Sequence, residues 1–144
     1  MTTGKPAPRA SIAEKALLAP LRRLFPAERF ALRTEVPFRG KNIDVLLLDR
    51  KTRRLVAVEL KVRKWRKALR QAAVYQLGAH QVYVALWHKH VSDERVARMS
   101  SHGLGVIEIA EGPRRRWTAH VVAKPKRTSL LNRRYAHDLR GEFV

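Results

Sequence analysis

Asp44, Glu59 and Lys61 are ionisable residues inside runs that are otherwise apolar, Asn42-Ile43-Asp44-Val45-Leu46-Leu47-Leu48 and Leu55-Val56-Ala57-Val58-Glu59-Leu60-Lys61. Such runs of Val, Leu and Ile, bounded by a charged turn, read as buried strands, where an ionised side chain is costly unless something compensates it. The connecting residues 49–54 are too few for a crossover, so the two strands are expected to form an antiparallel hairpin. A turn symmetric about Lys51 and Thr52 then sets Asp44 directly opposite Glu59, with Cβ atoms about 4.5–5.5 Å apart and Lys61 on the same face. A slip of one residue would send the acids to opposite faces. Carboxylates placed in this way repel each other, and a divalent cation between them turns repulsion into coordination. The hard oxygen donors suit Mg2+ or Mn2+.

This order of residues resembles the PD-(D/E)XK nuclease superfamily and its restriction-endonuclease-like fold. Asp44 matches the first acid and Glu59-Leu60-Lys61 the (Asp/Glu)-x-Lys element, while Ile43 stands where the family name has proline. Gln71-Ala72-Ala73-Val74-Tyr75, on the next helix, is similar to the Gln-hydrophobic-x-x-Tyr motif of RecB-type exonuclease domains. The resemblance spans roughly residues 11–110. It implies a metal-dependent deoxyribonuclease in DNA repair, recombination or defence, with Asp44, Glu59 and the Leu60 carbonyl as metal ligands. Lys61 would orient the attacking water, and Gln71 and Tyr75 would bind the phosphate backbone or brace the lysine. Phosphodiester hydrolysis would leave a 5′-phosphate. Many members place a glutamate of the first helix at the metal, which makes Glu14 a candidate fourth ligand. Ser11 and Glu14 equally match a helix capping box. Glu35 is the rival for this role, although an exposed strand acid paired with Arg33 or Arg39 is the plainer account of it.

Composition points the same way. The chain has 144 residues, enough for one domain, and 31 Lys and Arg against 12 Asp and Glu give a net charge of +19. Such a balance favours a polyanionic partner, nucleic acid or, less directly, an acidic membrane, and could equally mark an RNA binder; the resemblance implies DNA, whether double-stranded, branched or with single-stranded ends. Arg39 and Lys41, just before Asp44, and Arg63, Lys64, Arg66, Lys67 and Arg70, after Lys61, are the candidate phosphate contacts. The absence of cysteine excludes disulfides and thiolate metal sites. With no hydrophobic signal core and no run long enough to span a bilayer, a cytoplasmic protein without membrane contact is expected. A homodimer is compatible with cleavage at a junction, which needs two sites.

The elements that must position these residues follow from periodicity and punctuation. Residues 1–10 are expected as a disordered basic tail, residues 11–112 as the nuclease-like core, and residues 113–144 as a basic strand-helix extension packed on the same domain. A first helix runs from Ser11, with Leu17, Leu18, Leu21 and Phe25 on its apolar face, and strand 30–36 closes at Pro37. The helix after Lys61 carries a stripe of Trp65, Leu69, Ala72 and Gln76 and stops at Gly78. A strand at 80–87, a helix capped by Ser92, a strand at 104–110, an edge strand ending at Ala123 and a last helix capped by Ser129 complete the reading. His88 and His90 lack an acid partner and are discounted as ligands. The expected class is α/β, a mixed sheet flanked by helices. A basic module that keeps this fold without catalysis is the alternative, opposed by the acids, which would repel phosphate. A structural salt-bridge cluster in an RNA-binding protein is a further alternative, disfavoured by the cost of burying it.

Overall fold

The computed structural model describes residues 16–61 and 64–144, apart from the side chain of Arg115. The expected tail, the Ser11–Glu14 capping box, the Glu14 ligand and the Arg63 contact lie outside the described residues. Six strands form one sheet in chain order: β1 (Phe30–Phe38), β2 (Lys41–Asp49), β3 (Leu55–Lys61), β4 (Gln81–Trp87), β5 (Gly105–Glu111) and β6 (Trp117–Ala123). The sheet is mixed: β1, β2 and β3 pair antiparallel, β3, β4 and β5 parallel, and β6 returns antiparallel. The two parallel connections each carry a helix, α2 (Trp65–Tyr75) and α3 (Asp93–Ser101), as a parallel crossover requires. Among the described residues, α1 (16–24) and α4 (Arg133–Arg140) complete the helices.

β2 and β3 are apolar on both faces because both are covered. Leu17 and Leu21 of α1, and Phe25 just after it, pack with Val45, Leu47, Val56 and Val58 on one side. On the other, Ala68, Ala72 and Tyr75 of α2, Met99 of α3, and Ala136 and Leu139 of α4 pack with Leu46, Leu48, Leu55 and Ala57. The small Ala68 and Ala72 make up the most buried line of α2 with Tyr75, so the expected Trp65-Leu69 stripe is only half-buried. Helices take their closest approach to a sheet along their smallest side chains.

Turn chemistry sets the register. At the β2–β3 turn, Asp49 accepts from the Arg29 guanidinium through both oxygens at 2.9 Å and from the amides of Lys51 and Thr52. The Arg29 pairing holds its carboxyl well below the usual range. β1 continues past Pro37 to Phe38, and Arg39 and Gly40, with φ of 51° and 78°, form the two-residue loop of a right-twisted hairpin. Proline is tolerated there because β1 is an edge strand.

The C-terminal extension is part of the domain's core. Lys126, Thr128 and Asn132 donate their amides to the carbonyls of Gly103, His80 and Leu77, stitching both crossover connections. Asn132, not Ser129, caps α4, accepting from the Tyr135 amide at 3.1 Å. Gly78 lies beneath this helix: a Cβ there would stand 2.7 Å from Leu139 Cδ1 and 2.7 Å from Phe38 Cε1. Gly78→Ala is therefore expected to cost about 1–3 kcal/mol through overpacking, read as a lower urea midpoint at unchanged slope.

Candidate metal and phosphate site

The β2–β3 rungs run from Leu48–Leu55 to Val45–Val58, and that register carried one position further faces Asp44 with Glu59, as the symmetric turn requires. Here the side chains take over. Asp44 Oδ2 accepts from the Leu60 amide at 2.8 Å, drawing the carboxylate across to β3. Glu59, 2% exposed, accepts through Oε1 from the Tyr75 hydroxyl at 2.9 Å. The same hydroxyl lies 2.9 Å from the Asn42 carbonyl, so its single proton has two acceptors. Lys61 Nζ stands 4.0 Å from Glu59 Oε2, the outer limit of an ion pair, with its side chain partly open to solvent. Asp44, Glu59, Lys61 and Tyr75 thus converge on one end of β3.

Burial, then the Asp44 charge, pushes the Glu59 carboxyl up to about 8, with the Tyr75 hydroxyl and Lys61 opposing. Burial also raises Asp44, against the Leu60 amide, its hydrogen bond with Glu59, and Lys61. Two buried carboxyls so close share a proton in preference to both ionising. Tyr75 is raised by burial and by the Glu59 charge, which keeps it a neutral donor.

Glu35 adjoins this pair on β1. It is exposed and left-handed, with a φ of 52°, and interrupts the β1–β2 rungs between Thr34–Val45 and Val36–Ile43. Desolvation and then the Asp44 charge raise its carboxyl. The expected pairing with Arg33 or Arg39 is not made: Arg33 donates to the Glu142 carbonyl and packs on Phe143, and Arg39 hydrogen-bonds and stacks on Tyr135. Arginine planes prefer an aromatic face and a fixed carbonyl to a carboxylate that a left-handed turn carries elsewhere.

Gln71 lies one turn before Tyr75 on α2, and its Oε1 is buried without a hydrogen-bond partner. A buried amide oxygen left bare costs about 1–3 kcal/mol, so a donor or cation there would be favourable. Among the described residues no three of His, Asp and Glu come together to hold a metal ion, Glu35 included. The donor set nevertheless fits a hard dication: Asp44 and Glu59 each keep one oxygen outside the Leu60 and Tyr75 hydrogen bonds, and Mg2+ commonly takes one or two carboxylates, retaining waters elsewhere. Arg39, Lys41, Lys64, Arg66, Lys67 and Arg70 are all exposed. Sequence reasoning missed the Asn42 carbonyl and the Gln76 amide, which donates to the His102 carbonyl at 2.8 Å; a backbone acceptor leaves no trace in residue identity.

No helix among the described residues is long and apolar enough to cross a membrane. No protein-family model matches the chain, and no curated protein matches it significantly. Among solved structures it is similar to an EndoMS–dsDNA complex, at 20% identity and a TM-score of 0.50 over 71% of this chain and 45% of that one. It is also similar to a repair endonuclease from Pyrococcus abyssi (24% identity, TM-score 0.47, 65% of this chain and 44% of that one) and to Pyrococcus furiosus SfsA in complex with Ca2+ (10%, 0.41, 78% and 60%). The chain therefore spans less than half the length of the first two, and what it shares with the EndoMS structure is the fold, a mixed six-stranded sheet flanked by helices.

Proposed function

We propose that the chain is a nuclease of the PD-(D/E)XK type that hydrolyses DNA phosphodiesters with Mg2+ or Mn2+. The observation that carries this reading is the meeting of Asp44, Glu59 and Lys61 at one end of β3, with both acids pushed upward by burial and Glu59 further by the Asp44 charge. A structural salt bridge would have no need of the second acid, and a plain phosphate binder would gain nothing from either. Perturbed groups of this kind mark chemistry more often than scaffolding. Asp44 and Glu59 would hold the cation by their remaining oxygens, joined by the Leu60 carbonyl; bound there, it would neutralise charge at the phosphoryl group and acidify water. Lys61, partly open to solvent, would hold the attacking water or a phosphate oxygen by hydrogen bonding as an ammonium donor. Tyr75 fixes the rotamer of Glu59, and the bare Gln71 oxygen would accept from a donor brought to the site. The exposed cations of the β1–β2 loop and of α2 bear on phosphates. The EndoMS structure sharing this fold was determined with dsDNA, a polyanion of the kind that a chain of +19 favours.

The test is a cleavage panel. Purified protein is incubated with linear, nicked, circular and four-way-junction DNA, with Mg2+, with Mn2+ and with EDTA. Metal-dependent strand scission that EDTA abolishes is expected. Binding without scission under either metal would instead assign a non-catalytic DNA-binding role to the fold.

A further inference from the structure

A second site lies beside the first. Trp65, Arg66, Lys89, His90, Ser92, Glu94 and Arg95 line a cavity of about 350 Å³. Its walls are the first turn of α2, the turn after β4 and the opening of α3. Because β3 and β4 run parallel, with Lys61 level with Leu86, these segments leave the sheet at the same end as Lys61. The Arg66 and Arg95 guanidiniums stand 4.9 Å and 5.4 Å from the centroid of the Trp65 ring. Arg95 is tied down by donation to the His90 carbonyl at 3.0 Å, whereas Arg66 is exposed.

We infer that this cavity binds an unpaired nucleotide of the DNA, its base against the Trp65 indole and its phosphate on Arg95, Arg66 and Lys89. Three features favour that occupant. A guanidinium held flat on an aromatic ring keeps its N–H edge presented for a phosphate. A half-buried indole in a cationic hollow offers a stacking face, and base-on-aromatic stacking is worth about 1–3 kcal/mol per base whatever its sequence. The volume sits at the low end of ligand pockets, enough for one nucleotide and too confined for a duplex, whose bases are stacked inside and which shows such a wall only phosphates. The base takes the ring face that the exposed Arg66 covers, and Arg66 moves onto the phosphate. Glu94, the one acid of the lining, is exposed to solvent.

The site therefore selects DNA with an unpaired segment next to the scissile bond. That placement rests on the nuclease reading, but occupancy is measured without cleavage. In EDTA, intrinsic tryptophan fluorescence is titrated with a short oligo-dT and, separately, with a GC-rich duplex of equal length. Quenching by oligo-dT and little by duplex is expected. Trp65→Phe, which keeps an apolar ring in the fold, should remove most of the quench and weaken oligo-dT binding about 5-fold. Arg95→Gln should weaken it about 10-fold with the quench at saturation retained. Equal quenching by duplex, an undiminished quench in Trp65→Phe, or loss of affinity in Arg95→Gln alone would overturn the assignment, the last leaving a phosphate site without a base. A quench that persists in a protein that cleaves nothing would refute the nuclease reading and leave the nucleotide pocket standing.

Discussion

Replacing Asp44 with Asn should slow metal-dependent DNA cleavage about 1,000-fold or more, some 4 kcal/mol of transition-state stabilisation, without unfolding the protein. The substitution is chosen to separate charge from scaffold. Asn keeps a side-chain oxygen for the Leu60 amide, so the contact across β2 and β3 survives. It removes the negative charge that raises Glu59 and Glu35. Thermal stability without metal should stay level or rise, because a buried repulsion has been relieved. Activity and stability moving in opposite directions is the signature of a site built for a cation. Cleavage within a few-fold of wild type would remove Asp44 from the chemistry, and a large fall in stability would recast it as a structural acceptor. Asp44→Ala tests the distinction again, since it loses both charge and acceptor.

The second large effect is a pH dependence of stability opposite to that of most carboxylates. Glu59 titrates near 8 in the folded chain, above its ordinary value of 4.5. Between these values the folded form carries a proton that the unfolded form has released, so the protein is most stable below about 4.5 as far as this group is concerned and loses that stability as pH rises through 8. Asp44, also raised, acts in the same direction. The loss should be of the order of 3 kcal/mol, seen as a falling denaturation midpoint between pH 5 and pH 9 in EDTA. Glu59→Gln, which mimics the protonated acid and keeps an oxygen for Tyr75, should flatten the profile. Mg2+ at pH 8 should restore wild-type stability and not that of the variant, because a ion bound only by the folded state adds its binding free energy. A midpoint that rises from pH 5 to pH 9 in both proteins would show that Glu59 is not held in its raised state.

Much of this geometry was legible in the sequence because it is local. The polar stretch between Leu48 and Leu55 fixes a short turn, the turn fixes the register, and the register opposes residues 44 and 59. The Gln71 to Tyr75 spacing puts both on one side of α2, and Ser92 caps α3 as its type and position require. What was not legible depends on contacts distant in sequence. Glu35 turns left-handed in the middle of a run that reads as plain strand, so its neighbour is Asp44 and not an arginine. Arg39, placed by its position beside the phosphates, is held by Tyr135, nearly a hundred residues on. Trp65 read only as one member of a helical stripe, because helical spacing cannot distinguish a buried indole from one lining a hollow. Ser129 and Asn132 are equally good caps by type, and only the Leu77 carbonyl, which accepts from the Asn132 amide, selects the second.

The kink at Glu35 has a bearing on self-association. An open sheet of six strands has two free margins, and an uninterrupted margin is a template on which further chains can polymerise. Along β1 the left-handed residue breaks the extended run, Pro37 contributes no N–H, and the final turn, Gly141–Phe143, is fastened alongside through Arg33. Along β6 a slip in register between Val106 and Ile107 twists the opposite margin. The left-handed turn that sets Glu35 beside Asp44 thus also discourages fibril growth, so straightening residue 35 would endanger solubility.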